Sequence, residues 1–328
     1  MQEKLNPLPV KDRLKQILKR VTMPLRSSVV ILMYHRVIEA SSGPWNLCVS
    51  PKHFTEHLKI LQQNYPVLSL HDLLNSLRNA RLPKRGVVLT FDDGYADNLW
   101  NAKPLLEKYE VPATVFVASG SVDNNGFWWD ELEQALLQPR KLPKSLQLNV
   151  HDRLYEWPTT NLNQRKHAYL AIHKILLPLR VSDRDQLMAE LFAWADLDKI
   201  ERSDHRPLTT AELMKLSQSE FVDIGAHTVT HASLSILSRD DQIREIDGSR
   251  IKLTAILGSS VDTFSYPFGK FTSDTIDIVK ASGFEMALTS EANAVQVGAD
   301  QFQLGRFEVG DWAGEEFKDH LYEFFRTL

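Results

Sequence analysis

The 328-residue chain has one cysteine, Cys48, so no disulfide can form within it. No window holds the roughly 18 apolar residues that a membrane-crossing helix needs. Basic residues are not in excess: 38 Lys and Arg stand against 42 Asp and Glu, a net charge of −4. That balance argues against generic nucleic-acid binding, which needs a positive field to collect phosphates. Nucleotide signatures are missing too. No Gly-x-x-x-x-Gly-Lys-Ser/Thr loop occurs, and no Gly-x-Gly-x-x-Gly follows a strand-like run. His-Glu-x-x-His and Gly-x-Ser-x-Gly are absent, as are repeats and low-complexity tracts. Met1–Arg20 is polar and amphipathic rather than leader-like, so a soluble, cytoplasmic protein is expected. The basic stretch Lys11–Arg26 reads as a surface helix, with a membrane-surface contact as the alternative.

The remainder is ordinary globular material, 43% hydrophobic and 24% charged. Apolar runs at Val29–Met33, Gly86–Phe91 and Ala113–Val117 have the continuous pattern of strands buried on both faces. Helical spacing separates them at Pro51–Tyr65, Ser69–Asn79 and Asn98–Tyr109. This alternation predicts a parallel sheet with crossover helices. It breaks after Gly120 and resumes at Phe221–Gly225, with later strands at Thr263–Tyr266 and Glu285–Leu288 and a closing helix over Gly314–Thr327. The expected organisation is a helical arm over 1–28, an α/β unit over 29–122 and 208–328, and a mostly helical insertion over 123–207 without a buried strand.

Two clusters carry chemistry. Asp92 and Asp93 follow the Gly86–Phe91 strand, at the end where α/β folds place their sites. Adjacent side chains point different ways, so one carboxylate can bind a metal while its neighbour stays free as a base; a turn or helix cap is the bland alternative. His227 and His231 follow the strand Phe221–Gly225, and a four-residue spacing puts them on one face of a helical turn, able to chelate one ion. Two imidazoles and one carboxylate make a three-ligand site with a position left for water.

Thr90-Phe91-Asp92-Asp93-Gly94 followed by His227-x-x-x-His231 resembles the polysaccharide deacetylase family, the NodB-homology or carbohydrate esterase family 4 proteins. Phe264-Ser265-Tyr266-Pro267-Phe268-Gly269 is similar to that family's third motif, and Leu304–Glu308 falls where its later motifs lie. Met33–Val37 resembles the first strand of a bacterial subgroup tied to exopolysaccharide synthesis. The resemblance implies a distorted (β/α)7 barrel with one divalent metal at its mouth, zinc first, with cobalt, nickel, manganese or iron also accepting such ligands. It implies Asp93, His227 and His231 as ligands and Asp92 as general base. It also implies a contribution from Tyr266, Pro267 and Phe268 to substrate binding, the N–H of Phe268 supporting the oxyanion. The implied activity is removal of N-acetyl groups from sugars of a glycan or glycan precursor. The alternatives are a non-catalytic glycan-binding relative, or an esterase or deformylase on the same site. Oligomeric state is left open.

Two departures stand out. The third motif of the family often carries an arginine that pairs with the base; here that slot is Ser265, and Arg306 is either the replacement or a surface ion pair. The family's Leu-x-His acid is missing, and His320 reads as structural. His35, at the end of the first strand, is the candidate acid or substrate contact, a packed histidine being the alternative. Trp128 and Trp129 either stack on sugar faces or anchor the insertion, and Trp312 is a candidate for the pocket that holds the acetyl methyl.

Overall fold

The computed structural model describes residues 27–39, 44–124, 126–138, 140–197 and 205–327. All but two residues of the expected N-terminal arm therefore lie outside the described residues. Eight parallel strands form the central sheet: β1 (Val29–Tyr34), β2 (Val67–Leu68), β3 (Gly86–Phe91), β4 (Ala113–Val117), β5 (Val222–Ala226), β6 (Thr263–Ser265), β7 (Met286–Leu288) and β8 (Phe307–Glu308). Seven run in the order β7-β6-β5-β4-β3-β1-β8, and β2 pairs beside β3. Leu304 bridges in parallel to Leu288, and Phe307 of the same segment pairs with Leu32 of β1. One short segment thus spans the gap between the first and last strands. The result is a distorted (β/α)7 barrel.

Every residue of β1 and β3 is buried, as their continuous apolar runs predicted. A strand alternates its side chains, and the two faces enter different cores. Val30, Leu32, Tyr34, Leu89 and Phe91 face outward under the helix α1 (Pro51–Asn64), meeting Phe54, Leu58 and Leu61. Val29, Ile31 and Val88 face inward, with Phe116, Met286 and Leu288 from across the barrel. Leu70, Leu73 and Leu74 of α2 (Leu70–Arg78) join this inner core. Each such side chain contributes about 1.5–3 kcal/mol by leaving water. The helix expected over Asn98–Tyr109 opens instead as a π turn, Asn98–Ala102, before α3 (Lys103–Tyr109). Pro104 has no amide to offer the ordinary ladder there.

The segment between β4 and β5 builds its own apolar core. Helices α4 (Trp128–Leu137), α5 (Leu162–Leu176) and α6 (Val181–Trp194) contribute Leu132, Leu136, Tyr169, Ile172, Leu187 and Leu191. Tyr95 and Ala118 belong to this core as well and tie it to the barrel. To the expected mostly helical segment without a buried strand, the structure adds a half-exposed hairpin. Ser145–Val150 and Arg153–Pro158 pair as an antiparallel hairpin outside the main sheet. Its first strand alternates exposed and buried residues, so it lacks the continuous apolar run that marked the barrel strands. The His151–Asp152 turn has φ of 49° and 60°, the two left-handed residues of a tight hairpin loop, without the glycine that usually advertises one.

Candidate active site

The two-residue strand period explains which side chains reach the barrel mouth. The alternation that puts Ile31 inside carries Met33 and His35 onward to the mouth. By the same count Val88 leads to Thr90 and Asp92, Leu304 to Arg306 and Glu308, and Gly225 to His227. These residues, Thr90 apart, line one cavity of about 340 Å³ together with Asp93 and His231. Gly225 is required by space: a Cβ there would stand 2.4 Å from the Phe116 ring. Asp93 breaks the alternation with φ 75°, followed by Gly94 at φ 83°. That left-handed turn swings Asp93 back toward the mouth it would otherwise face away from.

Asp92 is held from two sides. Arg306 donates from Nη1 to Oδ1 and from Nη2 to Oδ2, both at 2.7 Å. Ser265 accepts from Arg306 at 2.8 Å and donates to Asp92 at 3.3 Å. Arg306 is itself fixed, donating to the Thr289 carbonyl and to Thr90 Oγ1. It is only 1% exposed, so the surface ion-pair reading is corrected. Burial alone would raise the Asp92 pKa, but the Arg306 guanidinium, with His227 and His35 nearby, holds it well below the usual carboxylate range. The paired, hydrogen-bonded carboxylate is charged throughout the physiological range.

Among the described residues, the one group of three potential ligand side chains is Asp93, His227 and His231, whose ligand atoms lie within 4.8 Å of one another. His231 Nε2 is 3.2 Å and His227 Nε2 3.7 Å from Asp93 Oδ1. Ligand atoms about 2 Å from one tetrahedral ion stand roughly 3.3 Å apart, so these spacings fit. The donor chemistry fits too. His227 Nδ1 faces the Ser265 carbonyl at 2.8 Å, which can only accept, so Nδ1 carries the proton and Nε2 presents its lone pair. Burial pushes the His227 imidazole down to about 4 despite Asp92 and Asp93, keeping it neutral. Asp93 is held below the usual range: burial opposes this, and the His231 hydrogen bond and charge outweigh it.

The helical turn expected for the histidine pair is corrected. His227–His231 is a loop with Thr228 at φ 63° and His231 at φ 55°. Its shape is imposed from outside. Ser119 N and Gly120 N donate to the Thr228 and Val229 carbonyls at 3.0 and 2.7 Å. Glu245, on α8 (Arg239–Leu257; α7 is Thr210–Leu216), accepts from Val229 N, Thr230 N and the Thr230 hydroxyl at 2.7–2.9 Å. Sequence reasoning missed Glu245, and its only signal was an acid inside an otherwise unremarkable polar helix. His231 has a different support: among the described residues its Nδ1 has no hydrogen-bond partner, and the Trp129 and Phe268 rings flank it at 4.6 Å.

The other expected residues divide. His35 lines the cavity beside Asp92 and Asp93, as do Tyr266 and Phe268; Pro267 does not. The Tyr266 hydroxyl is committed to the Phe302 carbonyl, and Phe268 is left-handed at φ 57°. Trp129 lines the cavity while its Nε1 donates to Tyr95, which in turn donates to Asp130. Trp128 faces a neighbouring groove instead. Trp312 is corrected: it is not part of the cavity, and its ring stacks on His320 of the closing helix α10 (Gly314–Phe324; α9 is Ser273–Ala281) at 3.6 Å. Its carbonyl accepts from buried His57. Trp45 and His173, neither anticipated, complete the cavity wall and lie 4.9 Å apart. Neither lies within a motif, and His173 is remote in sequence from all of them, so only folding brings them in.

Comparison with known proteins gives the chain a family and a fold. A family model described as polysaccharide deacetylase matches residues 79–142 and 179–287, just over half of the chain. The chain is 22% identical over 302 residues to a poly-β-1,6-N-acetyl-D-glucosamine N-deacetylase of Staphylococcus aureus, covering 88% of this chain and 81% of that protein. In fold it is similar to the Streptococcus pyogenes deacetylase PplD, solved in complex with acetate (TM-score 0.60, 20% identity, 90% of this chain and 99% of that one). It is also similar to IcaB from Ammonifex degensii (TM-score 0.58, 18% identity, 91% and 97%).

Proposed function

Because the chain belongs to the polysaccharide deacetylase family, we propose that it is a metal-dependent hydrolase removing N-acetyl groups from sugars of a glycan or glycan precursor. The observation that carries this reading is one cavity holding an arginine-clamped Asp92 beside the Asp93–His227–His231 group. Those three residues would hold a divalent ion, zinc or one of its neighbours, which would supply Lewis acidity toward the amide carbonyl and the attacking water.

The chain's own residues do the rest. Asp92 takes the proton of the water. Arg306 and Ser265 do not use all its lone pairs, so the clamp fixes the carboxylate without blocking it. The N–H of Phe268 meets the charge developing on the carbonyl oxygen. His35 delivers the proton that lets the amine leave. Trp129, pinned through Tyr95, keeps the His231 ring in place. The likeness to a poly-β-1,6-N-acetylglucosamine deacetylase makes N-acetylglucosamine oligomers the first substrates to try.

The test is acetate and free-amine release from such oligomers by metal-loaded protein, with Asp92→Asn as control. Release by the parent protein and a loss of about 10²–10⁴-fold in the variant are expected. His35→Ala should cut turnover sharply at unchanged metal content. A metal-loaded protein that releases nothing would leave a glycan-binding role. Acetate release from an O-acetylated sugar, with neither acetate nor amine from these oligomers, would make it an esterase.

A further inference from the structure

A second groove, of about 730 Å³, shares Trp129 and His231 with the catalytic cavity. Helix α6 brings Arg184 to its wall. That side chain is 6% exposed, and its guanidinium lies over the Trp128 ring, 5.2 Å from the centroid. Among the described residues its Nε has no hydrogen-bond partner, and no carboxylate forms an ion pair with it. Asp185 and Glu131, which line the same groove with Asp123, and Glu245 outside it act on it only through space. Asp185 is exposed to solvent, and both Glu245 oxygens are committed to the histidine loop.

Arginine cannot shed its proton to escape such a place. Burying it unpaired is costly, and the Trp128 face returns only part of that cost. A guanidinium presents its donors as a fork that fits two oxygens of one anion. We infer that this groove receives an anionic group of the substrate, a phosphate ester or a carboxylate, seated on Arg184 while the N-acetyl group enters the neighbouring cavity. The inference rests on the deacetylase reading and narrows its substrate class to N-acetylated glycans that carry acid, such as glycosyl phosphates or uronates. A neutral homopolymer would leave Arg184 unused.

The test is calorimetric titration of the metal-loaded protein with N-acetylglucosamine, N-acetylglucosamine 1-phosphate and an N-acetylhexosaminuronate. At least one anionic sugar should bind about tenfold or more tightly than the neutral one, the scale of a charge-assisted hydrogen-bond pair. Whichever it is separates phosphate from carboxylate. Arg184→Met should erase the preference and spare the neutral sugar. An anion held only at the metal centre would survive that change, so a persisting preference overturns the proposal, as does equal affinity of all three sugars for the parent protein. If Arg184→Met does not fold, Arg184→Lys keeps charge but loses the fork, and an undiminished preference there is equally fatal. Acetate release from neutral oligomers, run alongside, reports the deacetylase reading separately. Its absence there and from both anionic sugars, with Arg184-dependent binding intact, sinks only that reading.

Discussion

The barrel and the inserted segment both bury arginines, and they treat them oppositely. Arg36 and Arg306 of the barrel each meet an aspartate at 2.7–2.9 Å, Asp97 and Asp92 respectively. Arg184 of the insertion meets an aromatic ring and open space. A catalytic base must have its charge state settled before substrate arrives, so its cation is built in. A recognition site gains by leaving its donors for the ligand, at a cost in stability. The barrel mouth is therefore a finished electrostatic circuit, and the groove beside it is an open one.

The contrast can be broken at several points. The largest effect belongs to the ligand set. Asp93→Ala should abolish stoichiometric divalent metal, read by elemental analysis, and with it several kcal/mol of transition-state stabilisation, about a thousandfold in acetate release. Next comes the clamp. Arg306→Met leaves Asp92 buried and unpaired, so thermal or denaturant unfolding should show about 3–5 kcal/mol of lost stability. The pH profile should move with it. The folded-state pKa of Asp92 is depressed, so its contribution is present above the unfolded value of 3.8 and is lost as pH falls through the folded one. Without Arg306 that pKa rises, and the acid limb of activity should shift toward neutral pH.

Smaller effects probe the supports. Glu245→Ala releases the histidine loop and should weaken metal affinity about 10–100-fold, measured by competition with a chelator. Arg184→Met, the counterpart of Arg306→Met, should do the reverse of its partner and raise stability by about 1–3 kcal/mol, since it deletes an unsatisfied buried donor. A loss of stability there as large as for Arg306→Met would erase the distinction between the two regions. The smallest effect lies on the surface. His71 sits between Asp223 and Asp262, whose hydrogen bonds raise its pKa to about 10. That support is complete below pH 6.5 and is lost as pH rises through about 10. The site is half exposed and screened, so His71→Ala should cost only a few tenths of a kcal/mol near neutral pH, seen as a slight drop in Tm.

Legibility followed the strength of local signals. The strands at Val29–Tyr34, Gly86–Phe91 and Ala113–Val117 were readable because burial on both faces leaves no polar position to blur them. Asp92, Asp93, His227 and His231 were readable because their residue types and order are rare together. The hairpin at Ser145–Pro158 was not, since its half-polar alternation resembles loop sequence. The loop around His231 was misread as a helical turn. A four-residue spacing fits a helix, and the contacts that forbid one come from Ser119, Gly120 and Glu245. Trp312 was drawn toward the site by proximity to Arg306, yet its ring found His320.

Residue order was enough to establish a parallel sheet with crossover helices, an interruption in it, and the side chains able to hold a cation and move a proton. Those follow from short-range periodicity and from donor chemistry, which a side chain carries wherever it goes. Closure of the sheet into a barrel was implied only by the family resemblance. Folding alone decided that Arg306 and not a third-motif arginine clamps Asp92, that His173 and Trp45 wall the cavity, and that Arg184 has no ion-pair partner among the described residues. Each is a meeting, or a failure to meet, between segments far apart in the chain, and at that range only packing selects which charges touch.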